Sequence, residues 1–324
     1  MDFLLSDIHD DLASSVDALL SKSDAPGVAR AWAAGDRAPA AKVFAQLAEI
    51  GVFGLLIDDA HGGAAAGAVE TMVVMEQFGR HALPGPLAES LAVAPILLRG
   101  AENASGLLAD LAAGSLVTAA IPPSAPVAAD AAVADRAYLV TGDALQLAVA
   151  DAHSATVDPT RTVSSLRPVE PVATGIDGGA AFGLGALATA AQLLGLGRAM
   201  LAMAADYAQA RRQFGRPIGS FQAVKHHLAD VAIALEMARP LMLGAALGVD
   251  GAVPPETNVG RDISAAKVAA ADAAQLAARA ALQVFGAIGY TAEHDLSLYL
   301  TKTRALIGAW GTPAEHRARI LETL

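Results

Sequence analysis

Apolar residues recur every three or four positions over most of this chain, the spacing of helices that each bury one face. In the first third the pattern is clear near Phe3–Leu20, Ala40–Ile50, Ala68–Phe78, Gly85–Leu98 and Glu102–Ala113, punctuated by Pro26, Pro39 and the Gly62-Gly63 turn. It returns near Gly183–Ala210, Phe221–Leu247, Pro255–Ala281, Asp295–Leu306 and Pro313–Leu321, with Pro255 suited to the start of its helix. The span between, Val117 to Thr174, is rich in Ala, Val, Pro and Ser, and Ala137–Val140 and Leu145–Val149 read as strands. The pattern predicts a mainly α chain in three parts. Residues 1–115 form a helical domain, 116–175 a reduced β region, and 176–324 a four-helix bundle with a terminal helix.

The helical run ending near Arg211 and Arg212 meets Gly215, Pro217 and Gly219, which mark a tight loop. A new helix resumes at Phe221, with Ser220 as its expected N-cap. Arg211 and Gln213 therefore sit at a corner beside free backbone N–H groups. A guanidinium fork there suits a diphosphate, because it donates two parallel hydrogen bonds. Phe214 can pack on a flat ring, and Gln222 can bond to its edge. Arg211 can equally be a surface arginine favoured by a helix C-terminus. Farther on, Gln283 is expected to end a long helix, and Gly286 and Gly289 allow close approach of a ligand or another backbone. The same glycines can be a plain helix C-cap. GAIG is no dinucleotide fingerprint, since it lacks a preceding strand and the full glycine run.

Together these segments resemble the acyl-CoA dehydrogenase family. Tyr207 to Asp230, YAQARRQFGRPIGSFQAVKHHLAD, matches that family's C-terminal signature, and Gln283 to Tyr299, QVFGAIGYTAEHDLSLY, is similar to its next signature in a form seen in steroid side-chain enzymes of actinobacteria. LAEIGVFGLLIDDAHGG (Leu47–Gly63) and VVMEQFGRHALPGPLAES (Val73–Ser90) look like its N-terminal helices. The resemblance implies FAD, an acyl-CoA substrate and α,β-desaturation. In that chemistry a glutamate takes the α-proton while hydride leaves to the flavin.

The resemblance also implies where the chain departs. In most members the glutamate opens a Glu-Gly-Thr tripeptide; here the tripeptide is Trp310-Gly311-Thr312, and an indole only donates. Some members carry the base on the earlier helix, but Gly183 to Thr189 reads GLGALAT and has no carboxylate. The family's Thr-Glu-Pro and Trp-bearing strand motifs are missing from the β region. In the family's dimers one subunit holds the flavin ring and base, and the other holds the pyrophosphate and adenosine. This chain keeps the second set: Arg211, Gln213, Phe214, Gln222, Gln283, Gly286 and Ala287, the last where the family often has glycine. No catalytic residue is assigned. The implied protein is a non-catalytic subunit paired with a catalytic acyl-CoA dehydrogenase subunit in an α2β2 enzyme. The FAD is shared, the acyl-CoA lies mainly on the partner, and an electron-transfer flavoprotein is a candidate acceptor. A scaffold homodimer, or an autonomous enzyme with a relocated base, are the alternatives. Glu315 and His316 are the acid–base groups nearest to Trp310 in sequence.

Composition narrows the partners. The chain has 324 residues, 54% of them hydrophobic, and 22 basic against 33 acidic residues give a net charge of −11. That balance and the absence of a basic patch argue against nucleic acid. Leu184–Ala205 is apolar enough to resemble a membrane span, but Arg198 interrupts it, so a buried bundle helix is expected. The acidic start MDFLLSDIHDD is unlike a signal peptide, and the chain has no cysteine, which together point to the cytoplasm. His226 and His227 are adjacent on a helix and point in different directions, so they do not pair on one metal.

Overall fold

The structure is a computed structural model and describes residues 5–99, 101 and 103–323. Its first part holds α1 (Asp7–Lys22), α2 (Ala25–Ala33), α3 (Ala38–Glu49), α4 (Ala68–Arg80), α5 (Ala94–Leu98) and α6 (Ala104–Ala112). The helix α2 departs from the sequence reading. Pro26 does not break structure there but sits at the helix start, where its missing N–H costs nothing, and Asp24 caps it by accepting from Gly27 N. The expected Gly85–Leu98 helix contains a π-helical turn, Glu89–Val93, that leads into α5. Phe3 and Glu102, the expected starts of two helices, lie outside the described residues.

The middle of the chain forms a five-stranded sheet in the order β1-β3-β4-β5-β2. Its strands are β1 (Val117–Ala120), β2 (Ala128–Ala129), β3 (Arg136–Thr141), β4 (Ala144–Ala155) and β5 (Thr162–Ala173). β1 runs parallel to β3, and the other pairings are antiparallel. The sheet is larger than the two short strands expected, because β4 and β5 extend into a long hairpin whose outer half is exposed. Exposure on both faces leaves little apolar alternation to read.

The last part is built on three long helices, α7 (Gly178–Ala210), α8 (Gln222–Val249) and α9 (Val259–Phe285), followed by α10 (Leu296–Ile307) and α11 (Pro313–Leu321). Pro255 precedes α9 rather than opening it; Asn258 caps that helix by accepting from Arg261 N. Ser220 is not the cap of α8, since its hydroxyl donates back to Pro217 O and Phe221 takes the cap position. Gln283 lies inside α9, which ends at Phe285, where Gly286 adopts φ +65°. Among the described residues two helices, α7 and α8, are long and apolar enough to cross a membrane by composition; the most apolar window of α7 is 83% buried within the fold, as expected for a bundle helix.

Glycine decides how the first part meets the bundle. A Cβ at Gly79 of α4 would lie 2.0 Å from Gln192 O of α7, and one at Gly195 would lie 1.9 Å from Glu76 O. The two backbones touch there, which only glycine permits. Buried Glu76 accepts from Arg239 at 2.9 Å and pairs with Arg198 at 2.9 Å beside this crossing, so its charge is compensated. We expect Gly195→Ala to cost about 1–3 kcal/mol in urea unfolding, because the backbones must part. Gly106→Ala in α6, where added atoms meet nothing within 4 Å, is the control and should be neutral or stabilising by up to about 1 kcal/mol.

Candidate functional site

Two regions carry the chemistry-bearing residues: a closed centre around Trp310 and an open ridge at one end of the bundle.

The ridge is built where α7 ends. Arg212–Gln213 (β6) and Arg216–Pro217 (β7) pair as a two-residue hairpin, an element absent from the sequence reading. Its turn residues Phe214 and Gly215 both have positive φ, +52° and +79°. A bulky side chain in the left-handed region costs about 1–2 kcal/mol, yet Phe214 stands 90% exposed at the tip. Arg216 stacks over Phe221 at 4.1 Å, and Phe221 meets Phe214 edge-on. Tyr207, at the head of this segment, stacks on Phe285 at 4.3 Å. That contact brings the end of α9 and its Gly286 turn beside the hairpin. Arg211, Gln213, Phe214, Gln222, Gln283, Gly286 and Ala287 are all exposed, and nothing occupies the space beside Gly286. His226 and His227 are exposed on α8. Among the described residues no group of three or more His, Asp or Glu is placed to hold a metal.

The centre is its opposite. Trp310 is buried and has φ +55°, followed by Gly311 at φ +93°. Its indole lies flat against α7 at Gly185, where a Cβ would come within 2.5 Å of the ring. The indole N–H donates to Glu89 Oε1 at 3.0 Å. Glu89 is only 3% exposed, and Arg161 approaches it at 3.8 Å. Burial pushes the Glu89 carboxyl above its usual range, against the pull of Arg161. A cavity of about 360 Å³ beside the indole is lined by Glu89, Pro123, Thr156, Arg161, Ala305 and Trp310, among others. Nothing in the sequence reading pointed to Glu89. The one available signal was an acid inside the apolar run PLAESLAV.

The turn bearing Trp310 is held from behind. Buried Lys267 donates to the carbonyls of Leu306, Ile307 and Gly311 at 3.3, 2.9 and 3.3 Å. Burial, with Arg161 adding to it, draws its ammonium down to about 7. His316 Nε2 donates to Trp310 O at 2.9 Å, which leaves Nδ1 to accept from the Ser264 hydroxyl at 3.1 Å. Burial lowers His316 to about 4, so it is neutral near pH 7. Glu315 closes a capping box with Thr312, whose backbone N–H holds its carboxyl below the ordinary value. Both residues thus have structural partners at the start of α11.

His316 and Glu89 tilt stability in opposite directions. His316 has a depressed pKa, so its contribution is fully present above 6.5 and is lost as pH falls through about 4. Glu89 has a raised pKa, so its contribution is present at low pH and is lost as pH rises through its folded value. In urea titrations from pH 4 to 8, His316→Gln should flatten the acid loss of stability relative to the parent. Glu89→Gln, which keeps an acceptor for the indole, should steepen it.

Comparison with known proteins gives a consistent picture. Residues 6–115 match the acyl-CoA dehydrogenase N-terminal domain and residues 179–324 the acyl-CoA dehydrogenase C-terminal domain. The chain is 31% identical to acyl-CoA dehydrogenase IpdE2 of Mycobacterium tuberculosis over 323 residues, covering 95% of each. It is 30% identical to IpdE2 of Mycolicibacterium smegmatis, covering 98% of each. Among solved structures, the ChsE4-ChsE5 complex from Mycobacterium tuberculosis aligns with a TM-score of 0.85 at 23% identity, over 99% of this chain and 98% of that one. The Tcur3481-Tcur3483 steroid ACAD aligns at 0.82 and 22% identity over 97% and 96%. Butyryl-CoA dehydrogenase from Megasphaera elsdenii aligns at 0.85 and 21% identity over 100% and 99%. At these identities the structural likeness speaks for the fold.

Proposed function

Because this chain belongs to the acyl-CoA dehydrogenase family of flavoprotein oxidoreductases, we propose that it is the non-catalytic subunit of a cytoplasmic heteromeric acyl-CoA dehydrogenase. In this reading the chain grips the adenosine and pyrophosphate of an FAD whose reactive ring lies in a catalytic partner. Bound FAD supplies the hydride acceptor for desaturating an acyl-CoA held mainly by that partner.

The observation that carries the reading is the contrast between the two regions. The ridge presents the guanidinium groups of Arg211, Arg212 and Arg216, the flat ring of Phe214, and open space at Gly286, all exposed. That donor set fits a dinucleotide's phosphates and a planar group. An open ridge covers one side of a ligand, so the site needs a second wall. A second wall is also what α8 asks for: Ile233, Met237 and Leu241, spaced i, i+4, i+8 along one face, are 61%, 70% and 46% exposed. At the centre, the indole of Trp310 occupies the turn where the family carries its glutamate and presses on Gly185, within the α7 segment that bears the base in other members. Neither position here offers a proton acceptor. One structural neighbour, a steroid ACAD, favours a steroid acyl-CoA as the substrate class, and another, a two-component complex, favours a partner chain.

The isolated chain should be colourless after purification, and co-expression with a catalytic partner should give a yellow complex. Within that complex Arg211→Ala should weaken FAD retention by about 1.5–3 kcal/mol, the scale of a hydrogen bond to a charged group. Titration of bound flavin by absorbance measures both effects. One FAD per isolated chain, or unchanged retention in the variant, would count against the reading.

A further inference from the structure

The Gly286 turn and the residues after it, through Asp295, have only local hydrogen bonds of their own. Thr291 N donates to Ile288 O at 3.2 Å, His294 N to Thr291 O at 3.2 Å, and Leu296 N to His294 Nδ1 at 3.1 Å. The stretch is anchored at its two ends, by Gly286 N–H donating to Leu282 O of α9 and by Leu298 N donating to Asp295 O in α10, and Gly289 packs between Phe285 and Leu296. Two side-chain contacts add to that anchoring between its ends. One is aromatic: His294 meets Phe285 edge-on at 4.8 Å, and Phe285 is stacked on Tyr207. The other comes from α2 at the far end of the sequence. Arg30 Nη2 lies 2.7 Å from Asp295 Oδ1 and donates to the Glu293 carbonyl at 3.1 Å. It is the one long-range polar tie of residues 286–295 among the described residues.

We infer that Arg30 is a positioning residue for the flavin ridge: it sets the orientation of the Gly286–Asp295 stretch and so the affinity of this chain for the adenosine–pyrophosphate half of FAD. The inference rests on the reading of the ridge given above and adds a residue that no part of the ridge contains. A stretch that is already oriented pays less ordering entropy when a ligand binds. The Arg30–Asp295 pair is 38% and 47% exposed, so it contributes little to global stability. Its effect is therefore confined to the stretch it holds. Asp295 makes no side-chain cap to α10, so changing it leaves that helix start intact.

The test uses the complex with the catalytic partner and, separately, the isolated chain. FAD dissociation constants from flavin fluorescence are compared for the parent, Arg30→Ala, Arg30→Lys, Asp295→Asn and Arg30→Ala/Asp295→Asn, with Arg211→Ala as reference. Arg30→Ala should raise the dissociation constant by roughly 2- to 30-fold and leave turnover at saturating FAD unchanged. Arg30→Lys should restore part of the loss, and the double variant should be no worse than the worse single one. In the isolated chain, amide exchange should speed up across residues 286–296 and nowhere else, with an unchanged melting temperature. If Arg211→Ala weakens FAD while Arg30→Ala alters neither FAD binding nor exchange, the inference is overturned. If Arg30→Ala lowers the melting temperature and speeds exchange throughout, Arg30 is merely structural and the inference is also overturned. If neither variant moves the FAD dissociation constant, the flavin reading itself falls.

Discussion

The indole of Trp310 lying on the bare backbone of Gly185 is the contact from which the centre of this molecule follows. A side chain of that size reaches the surface of α7 only if α7 has no Cβ to meet it. It also needs a left-handed backbone at its own position, which for a tryptophan costs about 1–2 kcal/mol. Once buried, its N–H requires an acceptor, and Glu89 supplies one. Glu89 in turn is a buried acid, which sheds its charge or finds a cation, and Arg161 on the sheet side stands beside it. A single large residue thus ties together the π-helical turn of the first part, the β5 approach, α7 and the final turn.

The supports behind that turn explain how the strain persists. Lys267 reaches three carbonyls and His316 a fourth, so the C-terminal end of α10 and the Trp310 carbonyl are satisfied without water. Such over-determination is what holds an unfavourable backbone conformation in place. The ridge has the opposite economy. Phe214 is strained and exposed with one aromatic neighbour, and the Gly286 stretch has few ties. The centre is locked and the edge is open.

Much of this was legible in the sequence. The long helices were, because their apolar stripes run for many turns and packing alone decides them. The two ridge segments stood out because Tyr207–Asp230 and Gln283–Tyr299 each carry a signature, although the local form of the first was hidden: a Phe-Gly hairpin turn lacks the Asn-Gly chemistry that normally announces one. Three features were invisible for physical reasons. Helix α2 was hidden by Pro26, which reads as a breaker unless it falls at a helix start. The length of β4 and β5 was hidden because their outer halves face solvent and alternate weakly. Glu89 was hidden because its role depends on Trp310, 221 positions away in the chain, a tertiary fact with no local trace.

Glu89 is also the residue on which a rival account, an enzyme with a relocated base, has to rest. It is buried, it lines a cavity and its pKa is raised, the signs of a functional acid. Geometry weighs against that use. The oxygen that accepts from the indole, Oε1, is also the one nearest Arg161. Trp310, its hydrogen-bond donor, fills the space over Gly185. A base must be ionised and within reach of its proton, whereas burial holds this carboxyl toward its neutral form and the indole N–H occupies one of its oxygens. Glu89 satisfies the residue that closes the centre, and the closure accounts for the acid more fully than catalysis does.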